Sequence, residues 1–365
     1  MDLRFYFCFF VLTTIYLSYQ METIAVLADY KSNRAVWNAL KVHLDFILQC
    51  GYNVELYLSK DDDLSFIQNQ NKYKILYYTG LFDLNKKLAI HPSIKFVYCI
   101  SAISVYKVLF VSLFTKSRII FWVQGTIPDE SFLRHKKMWK KNLLLVIEYF
   151  AFRLSHKFVF VSESMVNYYT KRISIPKSNY IVVPCLPDFT MSKCDHKVAN
   201  SFVYIGGLSP WQCFEEALEI YNKVSTDNSV FHVITHEIDL ANKIINEKVD
   251  RKSSVQVYSI TDRAQIPRVL SQFQFGFLIR KASPVNYVSS PIKFLEYLSC
   301  GVNVIMTDAI PSYAKIIRDN LIGTIIDVNS DSITLCPFNN SAHEVYNSLF
   351  PTQKFSTLYN TLLHS

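Results

Sequence analysis

Residues 289–308, "SSPIKFLEYLSCGVNVIMTD", read as a short helix that ends at a glycine and leads directly into a buried strand. Ser290 suits the cap of that helix and Pro291 its first position. Gly301 ends it, and "VNVIM" is an apolar run of strand length. Ile292, Leu295 and Ser299 fall on one side of the helix, and Phe294 and Leu298 on a neighbouring one. Lys293, Glu296 and Cys300 form a third stripe at i, i+3 and i+7. Such a stripe is either a solvated face or the lining of a site, and the stretch alone leaves both readings open.

The alternation continues outward. Towards the N-terminus lie the apolar runs "TIAVLAD", "NVELYLS", "YKILYYT", "IKFVYCIS", "RIIFWVQG", "KFVFVSE" and "YIVVPCL", with helical segments such as "SNRAVWNALKVHLDFILQCG" between several of them. A stretch with two prolines and little periodicity, "VPCLPDFTMSKCDHKVAN", interrupts the pattern and reads as a linker. The alternation then restarts with "SFVYIGGL", helix 211–225, "VFHVITHE", helix 238–249, "VQVYSI", a helix near 262–272, "FGFLIR", helix 291–300, "VNVIMTD" and "GTIIDV". Short buried strands separated by helices indicate parallel sheets covered on both faces. The fold class is therefore α/β, with two doubly wound domains facing a cleft. The first covers 21–186, a linker 187–200, and the second 201–340. A helical segment 341–365 is placed to cross back over the first domain.

At 365 residues the chain suits two domains, and with half its residues hydrophobic and only 19% charged it is not disordered. Its net charge of +8 favours anionic partners. No nucleic-acid-binding motif accompanies that charge, so nucleic acid ranks last among them. The eight cysteines contain no CxxC and sit largely in apolar segments. They read as reduced, packed thiols of a cytoplasmic protein. His232 and His236 share a face of "VFHVITHE", but no further ligands accompany them as a zinc site needs. Residues 1–20 contain the apolar run "RFYFCFFVLTTIYL", which is shorter than the ~20 residues a spanning helix needs. They are either a short anchor or sequence ahead of a start at Met21.

In doubly wound sheets, ligands bind beyond the carboxyl ends of the strands, where helix N-termini offer N–H groups to anions. Lys293 sits on the first turn of one such helix. Gly206 and Gly207 occupy the strand-to-helix turn "YIGGLSPWQ", where missing side chains let a phosphate approach. Together on one edge of one domain, these residues make a nucleotide-diphosphate site.

The blocks "YIGGLSPWQCFEEALEIY" and "FGFLIRKASPVNYVSSPIKFLEYLSCGVNVIMTD" resemble the donor half of GT-B glycosyltransferases, specifically the family 4-like enzymes of bacterial surface polysaccharide assembly. The resemblance runs from about Thr23 to the C-terminus and is strongest over 201–308. It implies transfer of a sugar from a UDP- or GDP-type donor to an acceptor held by the first domain, with retention of configuration. It puts the ribose-binding carboxylate on Glu296 and neutralisation of the diphosphate on Lys293 and Arg280, so the catalytic set is Arg280, Lys293 and Glu296. The donor-side candidates are Gly206, Gly207, His236, Asn286, Ser290 and Glu296. Two departures stand out. Gly207 and Trp211 or Gln212 occupy the region where relatives carry cations, and Val288 stands where many have a second glutamate, with Asn286 and Ser290 as substitutes.

On the acceptor side the candidates are Asp29, Asn33 and Arg34 after the first strand, and Gln124 and Glu130 in "FWVQGTIPDES". Asp29, Ser32, Asn33 and Arg34 suit helix capping equally well, and Asp129 and Glu130 equally favour a helix start. "KDDDLSF" contains Asp61-x-Asp63, which reads as surface charge rather than a metal site, so no metal and no permanently bound cofactor is expected. Residues 134–157, "RHKKMWKKNLLLVIEYFAFRLSHK", run from a basic cluster into an apolar helix with aromatic anchors. This is either a core helix or an anchor on an anionic membrane. The resemblance favours the second, with a lipid-linked oligosaccharide as acceptor at the cytoplasmic leaflet. The alternatives are a nucleotide-sugar epimerase of the same fold, needing no acceptor, and a non-catalytic binding subunit.

Overall fold

The computed structural model describes residues 22–28, 34–60, 72–189, 196–250 and 254–365. The apolar segment 1–20, Asp29, Ser32, Asn33, Asp61 and Asp63 lie outside them. All the strands expected from the apolar runs form. The first sheet contains β1 (Thr23–Leu27), β2 (Asn53–Ser59), β3 (Lys74–Tyr78), β4 (Ile94–Cys99), β5 (Arg118–Val123), β6 (Lys157–Phe160) and β7 (Tyr180–Val182), in the order β3-β2-β1-β4-β5-β6-β7. The second contains β8 (Ser201–Ile205), β9 (Val230–Ile234), β10 (Val255–Tyr258), β11 (Phe275–Leu278), β12 (Asn303–Thr307) and β13 (Gly323–Ile326), in the order β10-β9-β8-β11-β12-β13. Neighbouring strands pair in parallel throughout.

Helices cover both faces of each sheet, which is why the strands are apolar on alternate residues of both parities. In β8, Phe202 and Tyr204 join one apolar cluster with the helix Phe214–Val224, whereas Val203 and Ile205 point the other way. The order in each sheet reverses between its first and fourth strands, β1/β4 and β8/β11. These are the points where ligands of doubly wound sheets bind.

At the β8/β11 reversal only Phe202 and Val203 pair with Phe275 and Gly276 before the strands diverge. The Tyr297 hydroxyl fills the opening. It accepts from the Ile205 N–H at 3.2 Å and lies 3.4 Å from the Phe277 carbonyl. Its ring rests on the Gly276 backbone, where a Cβ would come within 2.9 Å of the ring carbons. This contact fixes the helix Ile292–Ser299 beneath the carboxyl edge of the sheet.

Three helices depart from the expected boundaries. The segment 211–225 begins as a single 3-10 turn, Pro210–Gln212, and Cys213 at φ 53° separates it from the helix Phe214–Val224. The basic cluster of 134–157 is split between the helices Ile127–His135 and Met138–Leu154, because Lys136 turns left-handed at φ 55°. The C-terminal segment is two helices, Ala342–Leu349 and Thr352–His364, broken at Pro351, which cannot continue the first.

The last helix packs on the first domain, against the helix Arg34–Gln49 and β7. His43 Nδ1 and the hydroxyls of Tyr359 and Tyr98 form one buried hydrogen-bonded cluster. Lys157 Nζ donates to the Leu362 carbonyl and the Ser365 hydroxyl, so a cation meets the negative end of the helix. Burial pushes the His43 imidazole from its ordinary 6.5 down to about 3. The neutral form therefore stabilises the fold fully above about pH 6.5, and this contribution is lost as pH falls towards 3, by about 1.4 kcal/mol per pH unit. The variant His43→Gln, which cannot titrate, should show a shallower fall in urea midpoint between about pH 6.5 and pH 4.5 than the wild type. Parallel acid limbs in the two proteins would refute this role.

Candidate functional site

Every residue from Lys293 to Ser299 is buried, so the polar stripe of this helix is not a solvated face. Lys293 is 9% exposed and Glu296 3%. The Lys293 side chain lies at the end of β8, over Gly206, beside the opening that Tyr297 helps to hold. The cap differs from expectation. Pro291 occupies the cap position with no side-chain bond to the helix. The Ser290 hydroxyl instead accepts from the Cys185 N–H at 3.0 Å and bonds the Tyr313 hydroxyl at 2.6 Å, tying the segment between the sheets to the second domain.

The Lys293 ammonium lies 4.6 Å from the centre of the Tyr204 ring and 2.8 Å from Gln212 Oε1. It passes directly over Gly206, where a Cβ would come within 2.3 Å of Cε and Nζ. Gly206 also has φ +131°, a conformation other residues rarely adopt. Arg280 follows β11 and approaches from the other side of the opening. Its Nη2 donates to the same Gln212 Oε1 at 2.8 Å, and its Nη1 donates to the Gln212 and Ile279 carbonyls. Among the described residues neither cation has a carboxylate within ion-pairing distance. Burial and the neighbouring Arg280 hold the Lys293 ammonium well below its usual range, and burial also lowers Arg280. Two buried cations thus converge on one neutral amide oxygen, an arrangement that an anion would complete.

Glu296 faces away from this pair. Its Oε1 accepts from Arg263 Nη2 at 3.0 Å, and Arg263 Nε and Nη2 both donate to Asp188 Oδ1, at 3.2 and 3.0 Å. Burial raises the Glu296 carboxyl and the Arg263 guanidinium opposes that. At the rim, Glu237 Oε2 accepts from the Leu208 N–H at 2.7 Å beside Gly207. His236 is exposed and bonds the Ser259 hydroxyl through Nδ1, while His232 turns to the Tyr258 hydroxyl. Asn286 is buried, with Nδ2 donating to the Lys281 carbonyl.

Of the residues expected on the donor side, the fold brings Gly206, Arg280 and Lys293 together, with Glu296 one helical turn away. Gly207 and His236 lie at the rim, and Ser290 is engaged between the domains. Arg263, Gln212, Glu237 and Asp188 were not among the expected residues. Arg263 had a readable signal, since "TDRAQ" places a capping aspartate at the carboxyl end of β10, and Asp262 does accept from the Ala264 N–H there. Gln212 had none, because its position depends on the left-handed Cys213.

On the first domain, Gln124 donates to the Ile100 carbonyl across the ends of β5 and β4. Asp129 is engaged internally with Lys141 at 2.7 Å and Tyr168 at 2.6 Å. Glu130 is different. Its carboxylate lies over Gly125 with no hydrogen bond or ion pair among the described residues, and desolvation followed by the nearby Asp129 raises it, against Arg134. Solvent still reaches it from the cleft. Arg34 begins its helix. The Arg134 guanidinium stands 5.3 Å from the centre of the Trp211 ring, so the helix bearing Glu130 and the loop bearing Gln212 meet across the cleft.

The sequence matches no protein-family model and no curated protein. Solved structures are similar throughout its length. The lipopolysaccharide outer core galactosyltransferase WaaB in its apo form is 14% identical, with a TM-score of 0.66 over 94% of this chain and 99% of that chain. Sucrose-phosphate synthase from Thermosynechococcus elongatus is 11% identical, with a TM-score of 0.66 over the same shares of each chain. Anabaena HepE in complex with UDP-glucose is 11% identical, with a TM-score of 0.57 over 94% of this chain and 93% of that chain. At these identities the likeness establishes the fold, which is GT-B.

The two glycines of the turn should respond differently to a methyl group. Gly206→Ala keeps a positive φ and meets the lysine tip, so it should lower stability by about 1–2 kcal/mol in chemical denaturation. Gly207→Ala meets only Glu237 Oε2 at 3.2 Å and should stay within about 0.5 kcal/mol of wild type. Equal losses at both positions would show that the turn carries no such constraint.

Proposed function

We propose that the chain is a glycosyltransferase that moves a sugar from a UDP- or GDP-sugar to an acceptor bound by the first domain. The observation that carries this reading is the pair of buried cations, Lys293 and Arg280, sharing a neutral oxygen at the strand reversal of the second sheet. A diphosphate placed there replaces Gln212 Oε1 and receives both cations. Glu296 accepts from the ribose hydroxyls. Similar folds in a galactosyltransferase, a sucrose-phosphate synthase and a protein crystallised with UDP-glucose support the same class.

In the reaction the bond between the sugar C1 and the diphosphate oxygen breaks, and a bond from the acceptor oxygen to C1 forms. Negative charge builds on the departing diphosphate, where Lys293 and Arg280 stabilise it in a site shielded from water. Because side-chain cations supply that charge, the reading is metal-independent. The acceptor proton passes to the departing phosphate when configuration is retained, which is the course we favour from the sequence pattern. Glu130, with its raised carboxyl and unengaged oxygens, and Gln124 face the acceptor. Asp29, Asn33 and Arg34 complete that side as candidates.

We further place the protein at the cytoplasmic face of an anionic membrane, with a lipid-linked oligosaccharide as acceptor in cell-surface polysaccharide synthesis. Trp139, Leu143, Val146 and Phe150 follow one another at helical spacing on Met138–Leu154, and each is at least half exposed. Lys136 and Lys137 flank the stripe. Ile103 is exposed on the helix Ala102–Lys107, which packs against Met138–Leu154. No helix among the described residues is long and apolar enough to cross a membrane. Aromatic residues with cations beside them suit docking on a lipid surface, each cation adding about 1 kcal/mol.

Calorimetric titration with UDP and GDP should show binding of one of them, weakened at least about tenfold by Lys293→Met and by Glu296→Ala, as expected for loss of a charged contact. A wild type that binds neither nucleotide overturns the donor site. Co-sedimentation should recover the wild type with vesicles containing phosphatidylglycerol but not with phosphatidylcholine alone. The double variant Trp139→Ala, Phe150→Ala should remain in the supernatant. Equal recovery of both proteins would dismiss the membrane face.

A further inference from the structure

We propose that Arg263 is the positioning residue that keeps Glu296 an ionised, half-occupied acceptor, so that recognition of the ribose depends on a guanidinium anchored to Asp188 in the segment between the two sheets. This rests on the reading above that Glu296 takes the ribose hydroxyls. The geometry is specific. Only Oε1 of Glu296 receives Arg263, and Oε2 carries no hydrogen bond among the described residues. A carboxylate has about four acceptor positions, so one guanidinium bond leaves room for two neighbouring hydroxyls. A protonated carboxyl would turn one of those acceptors into a donor.

Asp188 fixes the orientation. Its Oδ1 takes both Nε and Nη2 of Arg263, which aims the edge of the guanidinium at Glu296. The charges acting on Glu296 are Arg263 and Lys293, which favour the carboxylate, and Asp188, which opposes it, while burial strongly favours the acid. Arg280 acts beyond Lys293. His343 and Lys197, from elements packed against the far end of the helix, meet the carbonyls of Ser299 and Cys300 instead. Arg263 is thus the one cation hydrogen-bonded to Glu296 among the described residues. It sits on a short 3-10 turn with its side chain 35% exposed.

The test compares UDP with 2′-deoxy-UDP, or GDP with 2′-deoxy-GDP if the site takes guanine, by calorimetry at about pH 6 and about pH 8.5. The ratio of the two affinities cancels the titration of the diphosphate and of Lys293. The wild type should prefer the ribose form at both pH values, on the order of tenfold for a bond to a charged group. In Arg263→Gln the preference should fall below that of the wild type, and fall further at the lower pH than at the higher one, because loss of the guanidinium lifts an already raised carboxyl. Arg263→Lys, which keeps a cation, should retain the preference. Glu296→Gln should lack it at both pH values.

If Arg263→Gln weakens both nucleotides equally, or without dependence on pH, Arg263 is only a brace and the inference fails while the donor site stands. A wild type that binds both forms equally removes the ribose role of Glu296 and this inference with it. A wild type that binds no nucleotide removes the proposed function itself. Should Arg263→Gln prove unstable by thermal melting, Arg263→Lys supplies the answer, since loss of its ribose preference also overturns the proposal.

Discussion

Lys293 and Arg280 are two cations held together in the interior with no carboxylate of the described residues paired to either. Burying an uncompensated charge is unfavourable by several kcal/mol, and placing two such charges side by side adds their repulsion. The surrounding structure is what makes this arrangement possible. The Tyr204 face and Gln212 Oε1 supply partial negative charge. Gly206 removes the side chain that would block the lysine. Tyr297 holds the helix against the gap between β8 and β11, and Lys293 is buried there. The depressed lysine is the residue of that conflict, and a bound diphosphate would relieve it.

The carboxylate beside the cations does not neutralise them. Glu296 is turned towards Arg263, and Arg263 towards Asp188, so charge of both signs is segregated along one helix. Had Glu296 paired with Lys293, the protein itself would have closed the proposed anion site. The same segregation links the site to the architecture, because Asp188 lies between β7 and β8. The Cys185 N–H to Ser290 and the Ser162 hydroxyl to the Val288 carbonyl are further polar ties between the two domains in this region. The site is therefore assembled on the second sheet but braced from the segment that joins it to the first.

The fold was legible because parallel strands buried on both faces appear as separate short apolar runs, and each of those runs became a strand. The spacing of Lys293 and Glu296 left a solvated face and a site lining equally open, and only the packing of the helix under the sheet shows both residues buried. What the sequence could not disclose depends on backbone geometry or on distant partners. Gln212 reaches the cations only because Cys213 turns left-handed, an uncommon conformation for a non-glycine residue. Ser290 looked like a cap because it precedes a proline and a helix, but Tyr313, twenty-three residues on, claims its hydroxyl. The break at Lys136 was hidden for the same reason, since nothing in a run of basic residues marks a left-handed turn.

The departures from the glycosyltransferase pattern have physical counterparts in this arrangement. The turn after β8 lacks cations, yet Arg280 and Lys293 already reach its Gln212 from the adjacent strand end and from the helix below, so positive charge enters from beneath the loop. The second glutamate of the pattern is replaced by Val288, whose side chain is fully buried and whose carbonyl accepts the Ser162 hydroxyl at 2.7 Å. A carboxylate at 288 would be buried where the helix Pro284–Val288 meets Glu163–Thr170 of the first domain. Valine there makes an apolar contact between the domains.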